Sequence, residues 1–150
     1  MPSYGECRSI EIHAPPEVCF DALTDVARMP DWQRAVCDVD ILERDADGRA
    51  AVVDYTIDAR VRKVRYRLRQ TYEPPNAVRN KYLDGDFRDF AGEWRFLAVA
   101  GSRTRVELDL HIDPGRLVPR PLRAVISDAV MGRALRDLKQ HVEAGGDRPA

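Results

Sequence analysis

Residues 51–72 carry two alternating patterns that agree with each other, and this agreement constrains the fold more than any other feature of the chain. Along 51–59, Ala51, Val53, Tyr55, Ile57 and Ala59 share one face, while Asp54, Thr56 and Asp58 share the other. Along 63–72, Val64, Tyr66, Leu68, Gln70 and Tyr72 share a face, and Lys63, Arg65, Arg67 and Arg69 share its opposite. A period of two is the strand signature. Folding the pair about Arg60-Val61 sets 57 against 64, 55 against 66 and 53 against 68. The same register sets Asp58 against Lys63 and Asp54 against Arg67. Apolar pairs and opposite-charge pairs thus select one alignment, and a one-residue slip destroys both.

The rest of the chain extends this hairpin into a sheet. Residues 4–13 read as a strand with Ile10 and Ile12 on one face, ended by Ala14-Pro15-Pro16 because a residue before proline leaves the α region. Pro16 or Glu17 opens a helix to about Val26, and Met29-Pro30-Asp31-Trp32 forms a second short helical turn. Strands are predicted near 36–43, 77–83, 88–98 and 104–112, the last with Val106, Leu108, Leu110 and Ile112 on one side. A helix starting near Pro119 or Pro121 runs to about Glu143, with Met131, Leu135, Leu138 and Val142 on one stripe. Leu122, Val125, Ile126 and Ala129 form a second apolar patch on nearly the opposite side. The predicted architecture is α+β: a curved antiparallel sheet of about six to seven strands around one long C-terminal helix, with two short helices after the first strand. Alternation leaves one sheet face wet and one covered, and the long helix is the cover. A single domain spans 1–144, and 145–150 is a loose tail.

Bulk properties exclude several classes. The 150 residues suit one core without staples, and the formal charge of −1 projects no overall field toward nucleic acid or membrane. Cys7, Cys19 and Cys37 are odd in number and lack C-x-x-C spacing, so free thiols in a reducing, cytoplasmic setting are expected. No leader pattern precedes the first strand, and no apolar run reaches the ~20 residues of a membrane span. His13, His111 and His141 lie on different elements, so no metal site is expected, and no phosphate loop or dinucleotide fingerprint occurs. The basic run 60–69 reads as a salt-paired outer sheet face, with RNA binding as its alternative.

Several segments together carry a resemblance. These are Ile-Glu-Ile-His-Ala-Pro-Pro-Glu-Val (10–18), Ala27-Arg28-Met29-Pro30-Asp31-Trp32, Asp84-Gly85-Asp86-Phe87 with Gly92-Glu93-Trp94-Arg95-Phe96, Ser102-Arg103-Thr104-Arg105-Val106, and Leu138-Lys139-Gln140-His141-Val142-Glu143. In order and spacing the chain resembles the START-like, birch-pollen-allergen-like (SRPBCC) superfamily, in its polyketide cyclase/dehydrase branch, over about residues 6–143. The resemblance implies a helix-grip fold whose concave sheet face and long helix enclose a ligand cavity. It implies an apolar small molecule of polyketide, quinone or lipid type as partner, no cofactor, and a monomer or homodimer. Three roles stay open: a cofactor-independent polyketide cyclase/aromatase, a non-catalytic quinone or lipid carrier or chaperone, and a ribosome-associated toxin-like interaction protein. The scaffold carries many functions, so fold does not choose among them.

The expected cavity wall comprises Tyr55, Tyr66, Leu68, Gln70, Phe90, Trp94, Phe96 and Leu110 from the sheet, Met131 and Leu135 from the long helix, and Trp32 from the second helical turn. Lys81 joins them if its strand turns Arg79, Lys81 and Leu83 inward rather than Val78, Asn80 and Tyr82. In the line-up that the resemblance implies, one pocket arginine of the cyclases falls at Leu68, a second at Lys81, and a pocket tryptophan at Trp94. That wall is aromatic and poor in charge, which suits apolar ligands.

Overall fold

The structure, a computed structural model, describes residues 4–58, 63–113, 115 and 131–145. Strand β1 (Tyr4–Ile12) leads into α1 (Pro16–Thr24), a 3-10 turn (Val26–Arg28) and α2 (Met29–Trp32). Six strands follow: β2 (Val36–Arg44), β3 (Ala50–Asp58), β4 (Lys63–Glu73), β5 (Ala77–Gly85), β6 (Asp89–Val99) and β7 (Arg103–Asp113). Helix α3 (Arg133–Glu143) closes the described chain. Pro15 is extended and Pro16 stands in the first turn of α1, where a missing N–H costs nothing.

The strands form one seven-stranded sheet in the order β1-β7-β6-β5-β4-β3-β2, antiparallel throughout. The β3–β4 register is the expected one: Ile57 faces Val64, Tyr55 faces Tyr66, Val53 faces Leu68, Asp58 faces Lys63 and Asp54 faces Arg67. The turn about Arg60-Val61 lies outside the described residues. On the outer face the Arg67 guanidinium grips Asp54 with two bonds of 2.6 and 3.1 Å, and Arg65 adds a contact at 3.4 Å. The Arg67 bonds hold the Asp54 carboxyl below its ordinary range.

The inner face carries the core. Val53, Ile57, Phe96, Val106, Leu108 and Ile112 are almost fully buried, each worth about 1.5–3 kcal/mol in water-to-interior transfer. Helix α3 lies over this face with Ala134, Leu135, Leu138 and Val142 inward. Three polar contacts fix its position. Asp137 Oδ2 accepts the Arg34 N–H at 2.9 Å, Lys139 Nζ donates to the Glu11 carbonyl at 2.8 Å, and Glu143 Oε2 accepts the His13 N–H at 2.9 Å. This is the helix-grip α+β fold. The predicted helix start near Pro119 or Pro121, the patch Leu122, Val125, Ile126 and Ala129, and tail residues 146–150 lie outside the described residues.

Candidate functional site

A cavity lies between the inner sheet face and the segment running from α1 into β2. Its floor is built by Tyr55 and Ile57 of β3, Tyr66, Leu68, Gln70 and Tyr72 of β4, Val78 and Asn80 of β5, Phe90 and Trp94 of β6, and Leu108 and Leu110 of β7. Its lip is Leu23, Thr24, Met29, Gln33, Ala35 and Val36. The cavity has a volume of about 60 Å³. That is well below the ~300 Å³ at which drug-sized sites begin.

The far end of the grip is solid. Phe20 packs edge-on against Phe96 at 5.7 Å between ring centroids and against Tyr72 at 6.4 Å. Tyr66 centres an aromatic cluster: it stacks on Tyr55 at 5.5 Å and on Phe90 at 5.3 Å, and meets Phe87 at a tilt at 5.5 Å. Aromatic side chains therefore supply most of the flat wall against which a planar ligand can lie.

Not one described residue of this wall is charged. Its polar groups divide into two sets. In the first set the partner is internal: the Tyr55 hydroxyl donates to Gln70 Oε1 at 2.6 Å, Gln70 Nε2 donates to Asn80 Oδ1 at 3.0 Å, the Tyr72 hydroxyl donates to the Ala50 carbonyl at 2.5 Å, and Thr24 Oγ1 donates to the Phe20 carbonyl at 2.9 Å. In the second set no partner exists among the described residues. It contains the Tyr66 hydroxyl, on a residue 7% exposed, and the side-chain amide of Gln33, on a residue 5% exposed. Both residues line the cavity, so each group can bond a ligand or water there. Burial raises the Tyr55 and Tyr66 phenols well above their ordinary value and raises Tyr72 to about 12. All three remain neutral donors at physiological pH.

The profile of a known family, described as polyketide cyclase / dehydrase and lipid transport, matches residues 12–139. The chain belongs to that family. Solved structures share the fold of this family member at low identity. A START superfamily protein from Mycobacterium smegmatis superposes with a TM-score of 0.83 at 18% identity, covering 93% of this chain and 97% of that one. The Zhui aromatase/cyclase from a Streptomyces species gives 0.80 at 20%, covering 97% and 99%. The protein TTHA0849 from Thermus thermophilus gives 0.80 at 23%, covering 95% and 99%. No curated protein matches the chain.

Within this polyketide cyclase/dehydrase family member, the expected wall residues separate clearly. Tyr55, Tyr66, Leu68, Gln70, Phe90, Trp94 and Leu110 line the cavity together. Phe96, Met131 and Leu135 are buried in the core and are not among the lining residues. Trp32 is also outside the lining. Its ring stacks on His141 at 4.9 Å, and its indole nitrogen is buried without a partner among the described residues. Lys81 is a correction. It is exposed on the outer face, opposite Arg69 and Ala91, so Val78, Asn80 and Tyr82 turn inward instead. With Leu68 at one expected arginine position and Lys81 outside, neither cation of the implied cyclase pair reaches the cavity. The lip residues Thr24, Met29 and Gln33 were missed. Met29 and Gln33 stand four apart across the short α2, a spacing that puts both on one helical face. Among the described residues, no group of three His, Cys, Asp or Glu is placed to hold a metal ion, and no helix is long and apolar enough to cross a membrane.

Proposed function

We propose that this protein binds one compact, uncharged, ring-containing small molecule in the cavity and acts as a carrier or sequestering protein. One observation carries the reading: the described wall offers aromatic faces and neutral hydrogen-bonding groups, with no charged side chain. Closing and dehydrating a poly-β-ketone needs groups that give and take protons near neutral pH. Tyrosines held above their ordinary range do not serve as such bases. A cavity of about 60 Å³ also favours a compact compound over a long chain.

Native mass spectrometry of protein purified from its own host, followed by solvent extraction, tests this. A neutral one- or two-ring compound bound in one copy is expected. Co-purification of a long acyl chain or a strongly anionic metabolite would contradict it. The cyclase reading retains one support, the unpartnered Tyr66 hydroxyl, which is suited to donate to an enolate oxygen. Turnover of a β-diketone that is lost in Tyr66→Phe while binding persists would favour that reading over the carrier.

A further inference from the structure

The backbone around Gln33 is held from several sides. Its N–H donates to the Met29 carbonyl at 2.9 Å, and its carbonyl accepts the Val36 N–H at 3.0 Å. Just before it, the Trp32 ring stacks on His141 at 4.9 Å. Just after it, the Arg34 N–H donates to Asp137 Oδ2 at 2.9 Å. Asp137 and His141 stand four apart on α3, a spacing that puts both on one face of the helix. Helix α3 therefore clamps the residues on both sides of Gln33, and Asp137 is itself buried. The part of Gln33 left unengaged is its side chain, which lines the cavity on a residue 5% exposed.

Among the described residues, the side-chain amides lining the cavity are those of Gln33, Gln70 and Asn80. Two of the three oxygens already have a donor: Gln70 Oε1 takes the Tyr55 hydroxyl at 2.6 Å, and Asn80 Oδ1 takes Gln70 Nε2 at 3.0 Å. Gln33 Oε1 has no donor among the described residues, and Gln33 Nε2 has no acceptor. A carboxamide carries an acceptor oxygen and a donor nitrogen side by side, so a free one matches a ligand with a donor and an acceptor on adjacent atoms. Rooted in a fixed backbone and enclosed by the wall, this amide loses little freedom on binding.

We propose that Gln33 is the specificity-determining residue of the cavity, with Oε1 accepting an N–H or O–H of the ligand while Nε2 donates to the neighbouring ligand oxygen. The proposal rests on the apolar-cavity reading and narrows its ligand to neutral ring compounds with adjacent donor and acceptor, as in a lactam. Asp137 is a positioning residue, acting through the Arg34 N–H.

Three probes of nearly equal shape separate the outcomes. Indane has no polar group, 2-indanone adds an acceptor, and oxindole is the lactam in which N–H replaces one ring CH2 of 2-indanone. Affinities are read by ligand-observed NMR titration of wild type, Gln33→Met, Asp137→Ala and Asp137→Asn. One neutral hydrogen bond corresponds to roughly three- to tenfold in affinity. Gln33→Met removes both polar atoms at nearly constant volume, and is expected to lower the oxindole to 2-indanone affinity ratio by that factor while keeping indane affinity. Asp137→Ala is expected to lower the ratio as well, and Asp137→Asn, which keeps an oxygen for the Arg34 N–H, to restore it; equal ratios in these two overturn the positioning role. If Gln33→Met does not fold, wild type decides the matter: a nuclear Overhauser contact between the oxindole N–H and the Gln33 side-chain amide is expected, and bound oxindole without that contact overturns the assignment. An unchanged ratio in folded Gln33→Met that still binds indane overturns the inference and leaves the cavity reading intact. Failure of all three probes to bind wild type removes the cavity reading, and this inference with it.

Discussion

Tyr55 and Tyr66 face each other in register, stack at 5.5 Å and are both buried, yet their hydroxyls stand in opposite circumstances. Tyr55 donates a 2.6 Å bond to Gln70, whereas Tyr66 has no partner among the described residues. Removing each oxygen should therefore have different consequences. Tyr55→Phe loses one hydrogen bond and strands the Gln70 oxygen, on a side chain 7% exposed. The expected cost is about 1–3 kcal/mol, mostly the penalty of the orphaned acceptor. Tyr66→Phe removes a hydroxyl that has no partner among the described residues and lies on the cavity lining, keeping the ring and its stack. It should lie within about 0.5 kcal/mol of wild type in the ligand-free protein. Urea unfolding at constant slope measures both differences, and each kcal/mol moves Tm by about 2–4 °C in a chain of this size. If Tyr66→Phe costs as much as Tyr55→Phe, the claim of an unpartnered hydroxyl is wrong, and with it the polar half of the site. Under the proposed function, the Tyr66→Phe protein should also bind an acceptor-bearing ligand less tightly.

Three further predictions follow from other parts of the molecule. Asp54→Asn should flatten the acid limb of the stability curve: the carboxyl is depressed in the fold, so its contribution is present above about pH 4 and is lost as pH falls through the folded value, as read by urea midpoints between about pH 2 and 7. Gly85→Ala should destabilise by roughly 2–4 kcal/mol in thermal unfolding, because at φ +137° its methyl would fall 2.5 Å from the Arg65 carbonyl oxygen and 2.6 Å from Tyr66 Cα. Lys81→Ala should leave ligand affinity unchanged and stability within about 0.5 kcal/mol, since its side chain is exposed on the outer face; a marked loss of binding would return it to the cavity.

Much of the fold was legible because the strands announce themselves twice. Asp54 and Arg67 pair on the outer face in the same register that joins Tyr55 to Tyr66 on the inner one, so charge and hydrophobicity confirmed each other. Strand β5 had no such check. Its pairing with β4 slips between Arg67 and Leu68: Arg67 faces Asp84, but Leu68 faces Tyr82. The extra residue at Leu83 reverses the parity of alternation, so the Asp84-Gly85 corner left both faces open for Lys81. The face is settled instead by Asn80, whose amide bonds Gln70. Which inward residues meet the cavity was less legible than which residues point inward. Phe96 and Trp94 share a face of one strand, but Phe20 fills the space over Phe96. That contact joins an early helix to a late strand, and alternation carries no record of it. Trp32 fails for a similar reason, as its stacking partner His141 lies 109 positions further along the chain.

The central claim is that a neutral ring compound occupies the space between Tyr66, Asn80, Trp94 and the α1–α2 lip. Two-dimensional 1H–15N spectra during titration with 1-tetralone test it most directly, because the Gln33, Gln70 and Asn80 amides and the Trp94 indole each give a side-chain signal from the wall. Saturable one-to-one shifts concentrated on these signals, with the Lys81 and Arg69 backbone unmoved, are the predicted result. Saturable shifts confined to the outer sheet face, or none at any wall signal, would contradict it.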